Sequence, residues 1–331
     1  MFEVIVPAFN AAHTLKACLE GLLRADVDRG RIIVCDDGSS DDTVQIAQSM
    51  SIRVVGCKRR TGAAAARNRG ISASTAEILV FVDSDVIVAP DAITRLCAFL
   101  ENSRSASAVF GAYDDAPADP HIVSRYRNLL HHYTHLEGAG VAHTFWTGLG
   151  AVRRNAAVSI GGFDETLHAM EDVDFGMRLS RAEHEIILEP GIQGKHLKRW
   201  KFWSMIRTDI LHRALPWSRL LLRRGTVEDE LNLKVRHRLG VFFACLGCAL
   251  MLLGLFAPVS LFLAMGCFAL SLWQNLDFYR YLARKKGIAF AVATAPFQII
   301  YYLCAAIGLS MALVEGLFVK RSSRAATTRK F

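Results

Sequence analysis

The chain has 331 residues, of which 52% are hydrophobic, and it carries a formal net charge of +8. This length accommodates one large domain, or one domain followed by a segment of another kind. The eight cysteines show no metal-ligand spacing in the first half of the chain, which argues against a cysteine-bound metal and favours free thiols in a reducing compartment.

Residues 1–190 alternate between strand-like and helix-like segments. The predicted strands are residues 3–7, 31–35, 52–55, 78–82 and 108–111. Helical patterns lie between the first four of them, and such alternation is typical of βαβ units. We therefore predict an α/β fold with a parallel or mostly parallel sheet.

Polar side chains follow the first three predicted strands. Val-Pro-Ala-Phe-Asn ends the first at residues 6–10, and paired acids follow the second in Asp-Asp-Gly-Ser-x-Asp-x-Thr at residues 36–43. Ala-Arg-Asn-x-Gly at residues 66–70 places cations on or near a helix. Each motif alone also fits ordinary turn or helix chemistry.

The fourth predicted strand runs into Asp83-Ser-Asp85. Along a strand, side chains two residues apart project to the same face. Ligands of open α/β sheets bind at the carboxyl ends of the strands. Two carboxylates there suit a hard cation such as Mg²⁺ or Mn²⁺, which would in turn hold phosphates. The alternative is a solvated loop that leads into the next helix.

The last third of the chain is apolar. Residues 239–276 contain no charged side chain, and neither do residues 288–314. The first stretch would be about 57 Å long as a helix, close to twice the ~30 Å hydrocarbon core, with Pro258 where a hairpin would turn. The second is long enough for one tilted crossing. We predict about three transmembrane helices within residues 239–318, followed by a basic tail at 319–331.

Residues 195–238 are basic and aromatic, with twelve Lys or Arg against four Asp or Glu. Nucleic acid binding and a solvated basic helix are alternatives. Because the apolar stretch follows directly, we favour a membrane-interface segment and expect no nucleic acid partner. The apolar run at residues 2–6 is too short for a signal peptide. We therefore expect a multi-pass protein of the cell (inner) membrane, with residues 1–194 as a domain on the cytoplasmic side.

The order of the motifs resembles family 2 glycosyltransferases of the GT-A fold. The resemblance continues with Thr-Gly at 147–148, Gly-Gly-Phe-Asp-Glu at 161–165 and Glu-Asp at 171–172. It ends with His-Leu-Lys-Arg-Trp at 196–200, which looks like the family's Gln-x-x-Arg-Trp motif with His in place of Gln. It covers roughly residues 1–200. It implies a Rossmann-like GT-A domain that binds a nucleotide-diphosphate sugar.

The resemblance also implies roles for individual residues. Nucleotide contacts are expected from Pro7, Ala8, Asn10, Asp36, Asp37, Arg67, Asp83 and Arg199. Mg²⁺ or Mn²⁺ would be held by Asp83, Asp85 and His196, although a structural hydrogen bond is an equal alternative for His196. Asp172, paired with Glu171, would be the general base, and simple helix capping is its alternative. Gly148 and Trp200 would contact the acceptor, and a buried structural indole is the alternative for Trp200.

A transferase with its own membrane anchor most plausibly uses a membrane lipid as acceptor, either a lipid hydroxyl or a polyprenyl phosphate. One base and one displacement imply inversion at the anomeric carbon. A processive polysaccharide synthase is an alternative, but about three helices are few for a pore. A membrane-tethered protein that binds nucleotide sugars without transfer is a weaker alternative, because it would need no base.

Overall fold

The computed structural model of the protein describes residues 1–224 and 234–328. The chain divides into two compact units, Met1–Arg199 and a second that begins at Trp200. The last strand of the first unit continues through Lys195 and His196. The first unit therefore extends beyond the predicted limit at residue 194.

Nine strands form one sheet in the described part of the first unit. The strands are β1 (Phe2–Ala8), β2 (Ile32–Asp36), β3 (Arg53–Gly56), β4 (Ile78–Val82), β5 (Val86–Val88), β6 (Ala106–Tyr113), β7 (Gly140–Ala142), β8 (Leu149–Arg153) and β9 (Glu185–His196). Their order is β3-β2-β1-β4-β8-β6-β9-β5, with β7 paired to β9. All five predicted strands are present: β4 has the predicted bounds, and the ends of the other four are shifted by one or two residues.

The sheet is mixed, which refines the prediction of a mostly parallel one. Strands β3, β2, β1 and β4 are parallel, and this is the half in which the sequence alternates regularly between strand and helix. Strand β8 runs antiparallel to both β4 and β6, whereas β9 is parallel to β6. The carboxyl ends of β1, β2 and β4 therefore meet at one edge, where the first motifs lie.

Helices cover both faces of the sheet. They are α1 (Leu15–Arg24), α2 (Thr43–Ser49), α3 (Ala63–Ala73), α4 (Ala92–Asn102), α5 (Ile122–Glu137), α6 (Arg154–Ser159) and α7 (Glu171–Arg181). Alternate residues of β1 enter two separate cores: Val4 and Val6 pack with α1 and α4, while Ile5 packs with α3 and α7. Burial on both faces explains why these strands are continuous apolar runs.

The second unit is helical. Its helices are α8 (Phe202–Arg207), α9 (Leu215–Arg224), α10 (Val235–Leu253), α11 (Val259–Trp273), α12 (Leu276–Lys286) and α13 (Ile288–Thr328), with a π-helical turn at Thr208–Ala214. The predicted turn at Pro258 is present, because α10 ends and α11 begins around it. Hydrogen bonds from Ser271 Oγ to the Gly240 carbonyl and from Ser260 Oγ to the Leu250 carbonyl fix the two helices as an antiparallel hairpin.

Two helices in the described ranges are long and apolar enough to cross a membrane, Val235–Leu253 and Ile288–Leu317. The count rises to three if α11 and α12, which are bent by 72° to one another, are taken as one span. Helix α13 continues through Pro296, so the chain does not break there. Membrane association is thus supported by length and composition, and the number of crossings stays a prediction.

Candidate functional site

The loops after β1 and β2 are tied to each other at the edge of the sheet. The Asn10 backbone N–H donates to Ser39 Oγ at 2.9 Å, and the Ser40 N–H donates to Asn10 Oδ1 at 2.9 Å. Asn10 has a positive φ of 49°, a conformation that Asn adopts more readily than most residues. The Ala8 carbonyl accepts from the Asp37 N–H. Ala8, Asn10 and the paired acids thus form one frame, and Pro7 lies within β1.

Asp36 and Asp37, predicted to contact the nucleotide, are both buried and both bonded within the frame. Asp36 accepts from the backbone N–H groups of Gly38 and Ser39. Asp37 accepts from Thr61, Gly62 and Arg69, and these bonds hold its pKa below the ordinary value even though burial raises it. Both acids therefore shape the loops on which a nucleotide would rest. Their direct contact with it stays a prediction.

Asp83 and Asp85 lie in a tight turn between β4 and β5. The Val86 N–H donates to the Asp83 carbonyl at 3.0 Å, and the Asp83 N–H donates to the Gly148 carbonyl at 3.3 Å. Strand β4 ends at Val82, so the alternation of strand side chains, from which we predicted that both acids share a face, does not apply. The two carboxylates have different partners: Asp83 binds Arg67, and Asp85 binds His196.

Arg67 is a buried cation shared between two acids. Its Nη2 donates to Asp83 Oδ1 at 2.9 Å and its Nη1 donates to Glu171 Oε1 at 2.7 Å. The guanidinium lies 5.6 Å from the centre of the Phe163 ring. Arg67 thus pairs with two carboxylates, and its predicted contact with the nucleotide stays a prediction. It thereby joins the predicted metal-binding turn to the helix that carries the predicted base.

Glu171 and Asp172 open helix α7 after Met170, which has a left-handed backbone conformation with a φ of 63°. Asp172 Oδ1 accepts from the Val173 N–H at 2.8 Å. Burial, and next the charge of Glu171, raises the pKa of Asp172 to about 7. A carboxyl group with that pKa can accept a proton near neutral pH. Helix capping alone does not account for such a shift.

The last motif is divided between the two units. His196 Nε2 lies 3.3 Å from Asp85 Oδ2, which matches the structural alternative for this residue and leaves its role as a metal ligand a prediction. Arg199 is exposed and lies beside Asp119 and His121. Trp200 is the first residue of the second unit, so its predicted contact with the acceptor also stays a prediction.

The chemistry of the acidic turn fits a divalent cation. Burial raises the pKa of Asp83, and the charge of Asp85 raises it further, although Arg67 opposes both effects. In the described ranges no group of three or more His, Cys, Asp or Glu side chains is arranged to hold a metal ion by itself. Two carboxylates are nonetheless the usual protein share for Mg²⁺, whose other ligands are substrate phosphates and water.

Asn68 has a role that the sequence analysis missed. Its Nδ2 donates to the Phe163 carbonyl at 2.9 Å and to Glu165 Oε1 at 2.8 Å, and its Oδ1 accepts from the Phe163 N–H at 2.8 Å. A side chain at Gly162 would lie 2.6 Å from that oxygen. The motifs at residues 66–70 and 161–165 are therefore two sides of one contact. Their joint presence in the sequence was the available signal.

The chain is similar to known glycosyltransferases. Residues 3–161 match the model of the family described as "Glycosyl transferase family 2". Glycosyltransferase GlyG from Streptococcus pneumoniae is 34% identical over 118 residues, which are 34% of this chain and 39% of that protein. A pre-mycofactocin glycosyltransferase from Mycobacterium tuberculosis is 31% identical over 220 residues, or 56% of this chain and 40% of that protein.

A third relative is named for a lipid-linked acceptor. The UDP-Glc:alpha-D-GlcNAc-diphosphoundecaprenol beta-1,3-glucosyltransferase WfgD from Escherichia coli is 30% identical over 118 residues, or 34% of this chain and 46% of that protein. The chain thus spans less than half of the length of each of these three relatives.

Among solved structures, the mannosyltransferase PcManGT from Pyrobaculum calidifontis, solved in complex with GDP-Man and Mn²⁺, has a TM-score of 0.60 and 19% sequence identity. The match covers 93% of this chain and 86% of that one. At this identity the match establishes the fold, a Rossmann-like GT-A sheet followed by helices.

Replacement of Arg67 tests the shared cation. Arg67→Met keeps much of the side-chain volume but leaves Asp83 and Glu171 without their partner. Because the Arg67 side chain is only 5% exposed, we expect the free energy of unfolding to fall by about 3 kcal/mol. Equilibrium urea denaturation of the detergent-solubilised chain measures it. Arg95→Met, at a side chain that is 43% exposed, is the matched control, and an equal loss in both variants would contradict the shared-cation interpretation.

Proposed function

We propose that this chain, whose residues 3–161 form a family 2 glycosyltransferase domain, transfers a sugar from a nucleotide-diphosphate sugar to a membrane lipid with inversion at the anomeric carbon. The observation that carries the proposal is the bridge made by Arg67. One buried guanidinium brings the acidic turn, suited to a metal and a diphosphate, next to the helix that carries Asp172. Glycosyl transfer needs a group that stabilises the leaving diphosphate and a base for the acceptor, and the two must lie close together.

The donor would rest on the frame formed by the first two loops. Pro7 and Ala8 end β1 and Asn10 lies in the loop that follows, while Asp36 ends β2 and Asp37 begins the next loop. Mg²⁺ or Mn²⁺ held by Asp83 and Asp85 would neutralise charge that develops on the leaving diphosphate. His196 would keep Asp85 in place for the ion through the contact between Nε2 and Oδ2.

Asp172 would accept the proton of the acceptor hydroxyl. The hydroxyl oxygen forms a bond to the anomeric carbon, its proton passes to the Asp172 carboxylate, and the bond to the diphosphate breaks with its electron pair on the leaving group. Glu171 supports this step indirectly, because it binds Arg67 and its charge raises the pKa of Asp172. One displacement inverts the anomeric configuration, so the product should carry the anomer opposite to that of the donor.

A membrane lipid is proposed as acceptor because of the second unit. It contains two helices long and apolar enough to cross a membrane, and the basic, aromatic segment precedes them in the chain. WfgD, by its name, acts on a diphosphoundecaprenol-linked sugar. All eight cysteines are free thiols, which suits a reducing compartment. We therefore place the enzyme in the inner membrane with its catalytic unit on the cytoplasmic side.

The first test is turnover of a nucleotide-sugar panel by the detergent-purified full chain, with Mg²⁺ or Mn²⁺ and membrane lipid extract present. Release of nucleoside diphosphate should identify the donor. In Asp172→Asn, kcat should fall by about 10² or more while the donor KM changes little, because the shape stays and the base is lost. Asp28→Asn, at a side chain that is 82% exposed, is the matched control. A parallel loss of donor binding in Asp172→Asn would make Asp172 a ligand contact instead.

The second test is the pH dependence of the acceptor reaction. Asp172 acts as a base only when it is ionised, and its pKa is raised to about 7. Below that pH the ionised fraction falls tenfold per unit, so kcat/KM for the acceptor at saturating donor should fall as the pH decreases through about 7 and level off above it. A profile that is flat across this pKa would rule out Asp172 as the base.

The third test concerns the acceptor. With the donor identified by the panel and labelled in its sugar, the full chain in vesicles of membrane lipid extract should move the label into the organic phase. Asp172→Asn is the control for label carried over without catalysis. Label found only in water-soluble oligosaccharide, at equal rate with and without lipid, would contradict the lipid acceptor while leaving the glycosyltransferase assignment intact.

A further inference from the structure

Two aromatic side chains near the Asp83–Asp85 turn belong to none of the motifs described above. Tyr113 is the last residue of β6 and is 7% exposed. Trp146 lies in the loop before β8 and is partly buried. Their rings meet edge to face, with centres 4.7 Å apart and planes at 87°. The Tyr113 ring is connected to Asp85 through His196, and the Trp146 ring is connected to Asp83 through Gly148.

The first route leads from Tyr113 to Asp85. The phenol ring stacks on the imidazole of His196, with centres 4.1 Å apart and planes only 7° from parallel. The same imidazole places its Nε2 3.3 Å from Asp85 Oδ2. A parallel stack fixes the plane of the imidazole, and the plane decides where Nε2 points. The orientation of the Asp85 carboxylate therefore depends on the Tyr113 ring.

The second route leads from Trp146 to Asp83. The indole occupies the space beside Gly148, where a Cβ would lie 2.2 Å from Cζ2. The carbonyl of Gly148 accepts the backbone N–H of Asp83 at 3.3 Å. The indole therefore sets the position of the carbonyl that anchors the start of the turn. Since Tyr113 packs against this indole, it supports both acids.

We propose that Tyr113 is a positioning residue that, through the stacked ring of His196, sets the geometry of the Asp83–Asp85 turn for a divalent cation. This inference rests on the proposed function, because it takes these acids as metal ligands. No motif includes Tyr113, which is the last residue of strand β6. Residues that orient metal ligands commonly affect affinity as strongly as some ligands do.

The charges around Tyr113 are those expected for a residue next to the Asp83–Asp85 turn. Burial raises the pKa of the phenol well above its ordinary value, and the charges of Asp85, Asp83 and Asp172 raise it further. The phenol thus lies within the field of both acids of the turn and of the proposed base. A neutral ring there adds no charge to the site, whereas it supplies a flat surface for the imidazole.

Metal binding by the full chain in detergent tests the inference without reference to turnover. Free Mn²⁺ is measured by electron paramagnetic resonance, with saturating UDP or GDP as the nucleotide. In Tyr113→Leu the apparent Kd for Mn²⁺ should rise by about tenfold or more. Tyr113→Phe keeps the ring and should bind Mn²⁺ like the wild type. Phe110→Leu is the matched control: its ring lies on the same strand but contacts Phe145 and His135 instead of His196.

A double-mutant cycle separates positioning from general stability. His196→Gln keeps a side-chain N–H that can reach Asp85 but removes the stacking partner. In this background Tyr113→Leu should have little further effect on Mn²⁺ affinity, because the route through the ring no longer exists. An unchanged tenfold effect would overturn the proposed route, as would Mn²⁺ binding by Tyr113→Leu that equals the wild type. A wild-type chain that binds no Mn²⁺ with either nucleotide would overturn the proposed function itself.

Discussion

The buried guanidinium of Arg67 is the interaction on which the site depends. A charge out of contact with water is tolerated only when it is paired and hydrogen-bonded, and Arg67 has two carboxylates for this purpose, Asp83 and Glu171. These acids lie far apart in the chain, on a turn after β4 and on helix α7. Each would repel the other without the cation between them. The pairing thus allows two acidic elements to approach closely enough to serve one reaction.

The balance of charge around Arg67 also distinguishes the acids from one another. Asp85 is stabilised in its ionised form by His196, and its pKa is lowered although burial raises it. Burial, and next the charge of Glu171, raises the pKa of Asp172 to about 7, although the charge of Arg67 opposes both. Acids with such different proton affinities suit different tasks. The first is suited to hold a cation, and the second is suited to exchange a proton.

Further contacts within the first unit support the polar centre formed by Arg67, Asp83 and Glu171. The loops after β1 and β2 are bonded to one another through Asn10, and the two glycine-containing motifs are joined by Asn68. At the acidic turn, the Asp83 N–H donates to the Gly148 carbonyl and His196 contacts Asp85, and the rings of Tyr113 and Trp146 pack against His196 and beside Gly148. Hydrogen bonds therefore fix the loops after β1 and β2, and hydrogen bonds together with aromatic packing fix the Asp83–Asp85 turn. Both arrangements limit the freedom of the side chains to which we assign roles in the proposed reaction.

Elements whose signal is local could be predicted from the amino-acid pattern. The five predicted strands, the helices between the first four, the hairpin at Pro258 and the apolar length of the second unit all follow from patterns within one segment. The order of the motifs along the chain gave the resemblance to family 2 glycosyltransferases, whose model matches residues 3–161. Four strands, β5, β7, β8 and β9, were not predicted. Each pairs antiparallel with a neighbour or pairs with a strand that is distant in the chain, and their residues show no clear alternation.

The pairing of charged groups became visible only in the folded chain. From the sequence, Arg67 was expected to contact the nucleotide, and Asp83 and Asp85 were expected to project to one face of the chain. The fold placed Arg67 between Asp83 and Glu171, and it placed Asp83 in a turn anchored by Gly148. It also placed the ring of Tyr113 against His196, 83 residues later in the chain. Contacts of this kind depend on the register between distant strands and on the burial of side chains. A local sequence pattern specifies neither of them.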